Sequence, residues 1–456
     1  KILVLTFKPA VQSAWEEDLC SHIDFKGWQF ISRNGLSYEE ADAQKPIVCF
    51  GSFQDYLGKN TAGGIKAKNE WVHTTNWDCV ILDEYHYGAW RENAKELFEA
   101  EDKKEERFGK GEGIEYFEEE NMPITTNAYL YLSGTPFRAI NSGEFIEEQI
   151  YNWTYSDEQK AKEEWKGENN PYEALPRMVM LTYQLPPEIR EIALQGEYNE
   201  FDLNVFFSAE GDNQSAKFIY QDEVQKWLDL IRGAFQATTI NNLKLGAEKP
   251  PMPFSDVRLR RILSHTFWFL PSVASCFAMR NLLEQKQNKF YHDYKIIVTA
   301  SSAAGIGIDA LAPVIKAMED PLQSKTITLS CGKLTTGVSV KPWTGIFMLR
   351  NSSSPETYFQ AAFRVQTSWT IKNPDSLSPN KEEIVKKECY VFDFAPDRAL
   401  RQIADYSCRL NINETNPEKK VEEFISFLPV LAYDGSSMKQ IDAAGILDMA
   451  ISGTTA

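Results

Sequence analysis

The 456-residue chain carries 48 Lys and Arg against 65 Asp and Glu, a formal net charge of −17, which argues against a basic, nucleic-acid-coating protein but leaves room for a groove with local positive charge and backbone donors. A hydrophobic fraction of 43% with 25% charged residues is ordinary for a soluble globular chain of two or three domains. The seven cysteines are scattered without Cys-x-x-Cys, and only five histidines are present, so the composition argues against structural zinc and for a reducing, cytoplasmic compartment.

In chain order, Ile2–Phe7 predicts a buried strand, followed after Pro9 by a helix around Val11–Leu19. Pro46–Phe50, Cys79–Leu82 and Ala128–Leu132 predict three more strands. Short apolar runs spaced by helical or loop segments indicate βαβ units and a mostly parallel sheet, so the fold class is α/β. The stretch 91–120 holds 12 acidic and 6 basic residues and reads as a solvated helical face and loop. Residues 151–255 lose the βα rhythm and read as a connector or inserted subdomain ending near Pro250-Pro251-Met252-Pro253. The rhythm resumes with strands at His265–Leu270, Ile296–Thr299, Thr326–Leu329, Ile346–Leu349 and Tyr390–Phe394. Helices are expected at Ser272–Gln287, Pro313–Met318, Pro355–Arg364 and Arg398–Arg409. The expected domains are therefore 1–150, a connector, 256–412, and a short C-terminal extension over 413–456. No run of 18 apolar residues predicts a membrane span.

Four stretches carry chemistry. Asp83-Glu84-Tyr85-His86 stands at the carboxyl end of a predicted parallel strand, where open α/β sheets bind ligands; one acid there can hold Mg²⁺ and its neighbour can orient water. The alternative is a solvated acidic turn. Ser133-Gly134-Thr135-Pro136 ends the next strand with small hydroxyl residues. Gly332-Lys333-Leu334-Thr335-Thr336-Gly337-Val338-Ser339 follows a strand and suits phosphate contacts, or is a loop shaped only by backbone needs. Gln360-Ala361-Ala362-Phe363-Arg364-Val365-Gln366 is expected on a helix, where Arg364 reaches a γ-phosphate or forms a surface ion pair.

In this order and spacing the stretches resemble the motor of a superfamily 2 helicase or translocase of the DExH type. The likeness is greatest to the Res subunits of type III restriction enzymes and to related type I motor subunits. It covers roughly residues 1–410 and implies two RecA-like domains using ATP and Mg²⁺ to move on double-stranded DNA. By that resemblance Thr6, Lys8, Ser52, Gln54, Thr335 and Thr336 touch the nucleic-acid backbone. Asp83 binds Mg²⁺, Glu84 activates water with His86 beside it, and Ser133, Gly134 and Thr135 couple hydrolysis to movement. Gly337, Gln360 and Arg364 serve the nucleotide. The implied partners are DNA, a methyltransferase or specificity subunit, and a nuclease domain outside this chain. Two departures stand out. No Gly-x-x-x-x-Gly-Lys-Ser/Thr loop occurs, so the phosphate-binding segment is expected upstream of Lys1; and Thr367 stands where the family carries a second arginine. The other readings are a non-catalytic nucleic-acid- or protein-binding fragment, and an RNA helicase of the same superfamily.

Overall fold

The structure, a computed structural model, describes residues 1–6, 11–33, 35–52, 56, 69–83, 124–134, 145, 147–195, 200–234, 251–300, 308–335, 338–352, 354–372, 382–410, 414–434 and 437–452. These fall into two compact units, Lys1–Tyr151 and Asn152–Ala456. Among the described residues, no helix is long and apolar enough to cross a membrane.

The first unit contains β1 (Ile2–Thr6), β2 (Gln29–Ile31), β3 (Ile47–Ser52), β4 (Asn76–Trp77), β5 (Cys79–Asp83), β6 (Thr125–Thr126) and β7 (Tyr129–Tyr131). Among the described residues, five of these form one sheet in the order β2-β3-β1-β5-β7, and every neighbouring pair is parallel. The apolar runs are continuous because both sheet faces are covered. Leu3, Leu5, Cys49, Val80 and Leu82 cluster with Val72 and Trp77. On the other face, Val4, Val48, Phe50 and Ile81 cluster with Leu19 and Trp15, both from helix α1 (Gln12–Ser21).

The second unit opens with helix α2 (Tyr155–Glu164) and β8 (Arg177–Tyr183). Two short antiparallel pairs follow, β9 (Leu194–Gln195) with β10 (Glu200–Phe201), and β11 (Ala209–Glu210) with β12 (Lys217–Phe218). Helix α3 (Gln221–Ile231) precedes β13 (His265–Phe269), helix α4 (Val273–Leu283), β14 (Lys295–Val298), helix α5 (Ile308–Met318), β15 (Thr326–Ser330) and β16 (Gly345–Met348). Helix α6 (Pro355–Ala362), the hairpin β17 (Thr370–Lys372) and β18 (Glu382–Ile384), β19 (Glu388–Asp393) and helix α7 (Pro396–Leu410) come next. Helix α8 (Pro417–Phe427), β20 (Val430–Tyr433), β21 (Met438–Gln440) and helix α9 (Ala443–Ser452) complete the unit. The main sheet runs β14-β15-β13-β16-β19-β8-β20-β21, parallel except for β21 against β20.

Two expectations from the sequence change here. The stretch 151–255, set aside as a connector, supplies β8, which lies between β19 and β20 inside the sheet. Its α3 helix is welded to the same core: Trp227 is fully buried and meets Trp268 and Phe394 edge-on at 5.7 and 5.2 Å. The 413–456 extension likewise extends the sheet through β20 and β21. Regional polarity hid a short local signal, since Met178–Thr182 is a five-residue run of strand-compatible residues inside a polar neighbourhood.

Candidate functional site

In the first unit, the site is built from one row across the carboxyl ends of three adjacent parallel strands. Thr6 of β1 is in register with Ser52 of β3 and with Asp83 of β5. Side chains alternate along a strand, so Thr6 and Asp83 share a face with Val4 and Ile81, the face covered by α1. Thr6 and Ser52 are buried, at 0% and 5% exposure. Both therefore present little surface to a polymer. Asp83 itself is half-buried, and its Oδ2 accepts a hydrogen bond from Trp15 Nε1 at 3.2 Å. Leu132 N donates to Leu82 O at 2.9 Å, which brings the end of β7, with half-buried Ser133 and exposed Gly134, alongside the end of β5. Lys8, Gln54, Glu84, His86 and Thr135 lie outside the described residues.

From the described residues, no three His, Cys, Asp or Glu side chains gather into a metal-holding group. A hard cation at Asp83 would therefore take one carboxylate from this row and its remaining oxygens from elsewhere. That donor set suits Mg²⁺ carried on nucleotide phosphates, because Mg²⁺ is commonly bound by one or two carboxylates plus substrate phosphates and water.

In the second unit, the strand β15 runs into a tight turn. Thr335 Oγ1 donates to Gly332 O at 2.6 Å, and Leu334 sits at φ 65°, a left-handed conformation that a branched side chain rarely adopts. The Thr335 hydroxyl is thus folded into its own turn. Thr336 and Gly337 lie outside the described residues. Gln360 is in α6, but Arg364 is in the 3₁₀ turn Phe363–Val365 that follows it, not in the helix. Its Nε donates to Gln360 O at 3.1 Å and its Nη1 to Val338 O at 2.9 Å. The arginine therefore joins the glycine-rich stretch and the Gln360 helix, two stretches the sequence leaves separate.

Two buried polar residues that the sequence reading passed over brace this region. Lys386, 2% exposed, donates to the carbonyl oxygens of Lys341, Trp343 and Val365 at 2.8, 2.8 and 2.9 Å. Burial pulls its pKa down to about 8, so at neutral pH it remains an ammonium, held by three carbonyl dipoles. Asp393, 3% exposed, accepts from Tyr358 Oη at 2.9 Å and from Ala395 N at 2.8 Å. Burial pushes its pKa up to about 7. A carboxylate set inside Val391-Phe392-Asp393-Phe394 was a readable signal, because lone acids within apolar strands are rarely solvated. Lys386, in the polar run Lys386-Lys387-Glu388, offered none.

The described residues form two mostly parallel α/β units, the first with an acidic residue at the carboxyl end of a strand, and comparison with known proteins gives the following. No family model matches the chain. A Mycoplasma pneumoniae protein, described as the C-terminus of a candidate type II restriction enzyme and methyltransferase, is 27% identical over an alignment covering 97% of this chain. The chain spans 64% of that relative's length. Among solved structures, a fragment of a candidate HsdR subunit of a type I restriction enzyme from Vibrio vulnificus is 12% identical, with 97% of this chain and 59% of that one aligned and a TM-score of 0.41. Yeast Dbp5 bound to RNA and ADP with beryllium fluoride is 7% identical, with 99% and 81% aligned and a TM-score of 0.40.

Proposed function

We propose that the chain is the ATP-hydrolysing motor of a restriction-type enzyme and drives movement on double-stranded DNA. The observation that carries this reading is the row Ser52–Thr6–Asp83, which sets a braced carboxylate at the carboxyl end of a parallel sheet. Similarity to a restriction-enzyme relative across nearly the whole chain points the same way.

ATP with Mg²⁺ supplies the reactive phosphoanhydride and neutralises charge as it develops. The chain's own residues do the rest. Asp83 would hold the cation through its carboxylate, and Glu84, the next residue, would take the proton of the attacking water. Arg364 holds its guanidinium against Gln360 O and Val338 O, a positive charge that would meet a phosphate. Thr335, folded into its turn at present, would need to release its hydroxyl to meet a nucleic-acid backbone. DNA, a methyltransferase or specificity partner, and a separate nuclease complete the proposed assembly.

The test is ATP hydrolysis by the full-length protein with and without duplex DNA, compared with its Glu84→Gln variant. DNA should stimulate the parent, and the variant should lose hydrolysis while still binding DNA. Equal hydrolysis by the two proteins overturns the assignment. Stronger stimulation by an RNA duplex than by DNA would move the reading to an RNA motor.

A further inference from the structure

We infer that Trp15 is the positioning residue for Asp83: its indole N–H fixes the carboxylate in the orientation that receives a divalent cation. The inference rests on the proposed role of Asp83 and adds a residue to it that no sequence pattern marks.

The argument begins with helix placement. β1 ends at Thr6 and α1 starts at Gln12, so the first turns of α1 lie near the carboxyl ends of the strands, and the helix runs back across the sheet. Leu19, one turn beyond Trp15, is buried against Val4, Val48, Phe50 and Ile81 and anchors the helix over the middle of the strands. Trp15 is thereby placed over the strand ends, on the face to which Asp83 points. Its Nε1 reaches Asp83 Oδ2 at 3.2 Å across 68 residues of sequence.

The chemistry suits metal support. An ionised carboxylate has about four lone-pair sites, and the indole N–H takes one of them. Indole donates without carrying charge. A lysine or arginine in the same place would orient the carboxylate but cancel the negative charge that attracts the cation. Trp15 restricts the rotation of Asp83 without itself bringing a charge. Hydrogen bonds of this kind to metal-ligating groups typically matter by about 10–100-fold in metal affinity.

The test uses the full-length protein and Mn²⁺ with a non-hydrolysable ATP analogue as the probe, since the strand-end row supplies one carboxylate and the nucleotide phosphates supply further oxygens; Mn²⁺ with the analogue but without protein is the reference. Free Mn²⁺ is followed by electron paramagnetic resonance, and tryptophan emission is followed in parallel because bound Mn²⁺ quenches a nearby indole. Three proteins are compared with the parent: Trp15→Phe, Asp83→Asn, and a protein with 3-benzothienylalanine at position 15. That analogue keeps the bicyclic shape and removes only the N–H, so a change in it is not a packing or folding defect. The expected result is Mn²⁺ binding by the parent, no binding at that site in Asp83→Asn, and roughly 10-fold weaker binding in both position-15 variants. A component of Mn²⁺ quenching should also vanish in Trp15→Phe. If Asp83→Asn abolishes binding but the benzothienyl protein binds as tightly as the parent, Trp15 is packing only and the inference fails. If Asp83→Asn binds as the parent does, or the parent binds no Mn²⁺, the metal role of Asp83 fails, and the proposed function with it.

Discussion

Replacing Asp393 by Asn should make the second unit more stable, and increasingly so as pH rises. In the folded protein, burial holds the Asp393 carboxyl at about 7 against an ordinary 3.8. The unfolded chain therefore releases this proton at lower pH than the folded one. Between the two values the folded state binds more protons, so parent stability falls as pH rises through that window; below it both states are protonated and no penalty exists. With the two pKa values cited, the penalty is about 2 kcal/mol at pH 5 and about 4 kcal/mol at pH 8. Asn keeps an acceptor for Ala395 N and a polar group beside Tyr358 Oη, at similar volume, and has no proton to lose. The stability advantage of Asp393→Asn over the parent should therefore grow by about 2–3 kcal/mol between pH 5 and pH 8. Urea unfolding of both proteins at the two pH values, followed by tryptophan emission, measures the difference directly. Other titrating groups cancel in the comparison, Lys386 included. A constant difference between the two proteins, or one that shrinks toward pH 8, would falsify the burial argument for this carboxyl.

Other outcomes follow from the same contacts. Lys386→Met leaves three buried carbonyls without their donor and should cost roughly 3 kcal/mol in chemical denaturation; an unchanged midpoint refutes the bracing role. Trp227→Ala removes a fully buried ring at the centre of the second core and should cost about 3–5 kcal/mol. Because β8 and α3 belong to that core, calorimetry should show the second unit's transition lowered while the first unit's stays put. A loss confined to local proteolysis of 184–256 would mean the stretch is an appendage after all. Arg364→Lys retains the charge but cannot reproduce both ties to Gln360 O and Val338 O. It should reduce ATP turnover by at least about 10²-fold if the guanidinium meets the γ-phosphate, and parental turnover would exclude that role.

Much of the fold was written in short-range pattern. Val80-Ile81-Leu82, Ile297-Val298 and Val391-Phe392 are short apolar runs of strand-forming residues, and the helical segments between such runs suit parallel pairing. The position of Asp83 at a strand end was legible for the same reason, because strand length and polarity change are properties of adjacent residues. The same averaging over neighbours concealed β8: five apolar or β-branched residues in a polar stretch do not shift the regional composition.

What only the tertiary structure decided are the long-range partners. Register placed Thr6, Ser52 and Asp83 in one row, and buried two hydroxyls that the resemblance assigns to the nucleic acid. Chain reversal after β1 carried Trp15 to Asp83 across 68 residues, and Lys386 found three carbonyls 21 to 45 residues away. A hydrogen bond is directional and fails within about an ångström of misplacement. Hydrophobic burial is non-directional and tolerant, so sequence pattern is enough to specify it. The sequence therefore determined which segments are buried and which strand end carries the acid, while the packing of α1 and the register of the sheet decided how that acid is held.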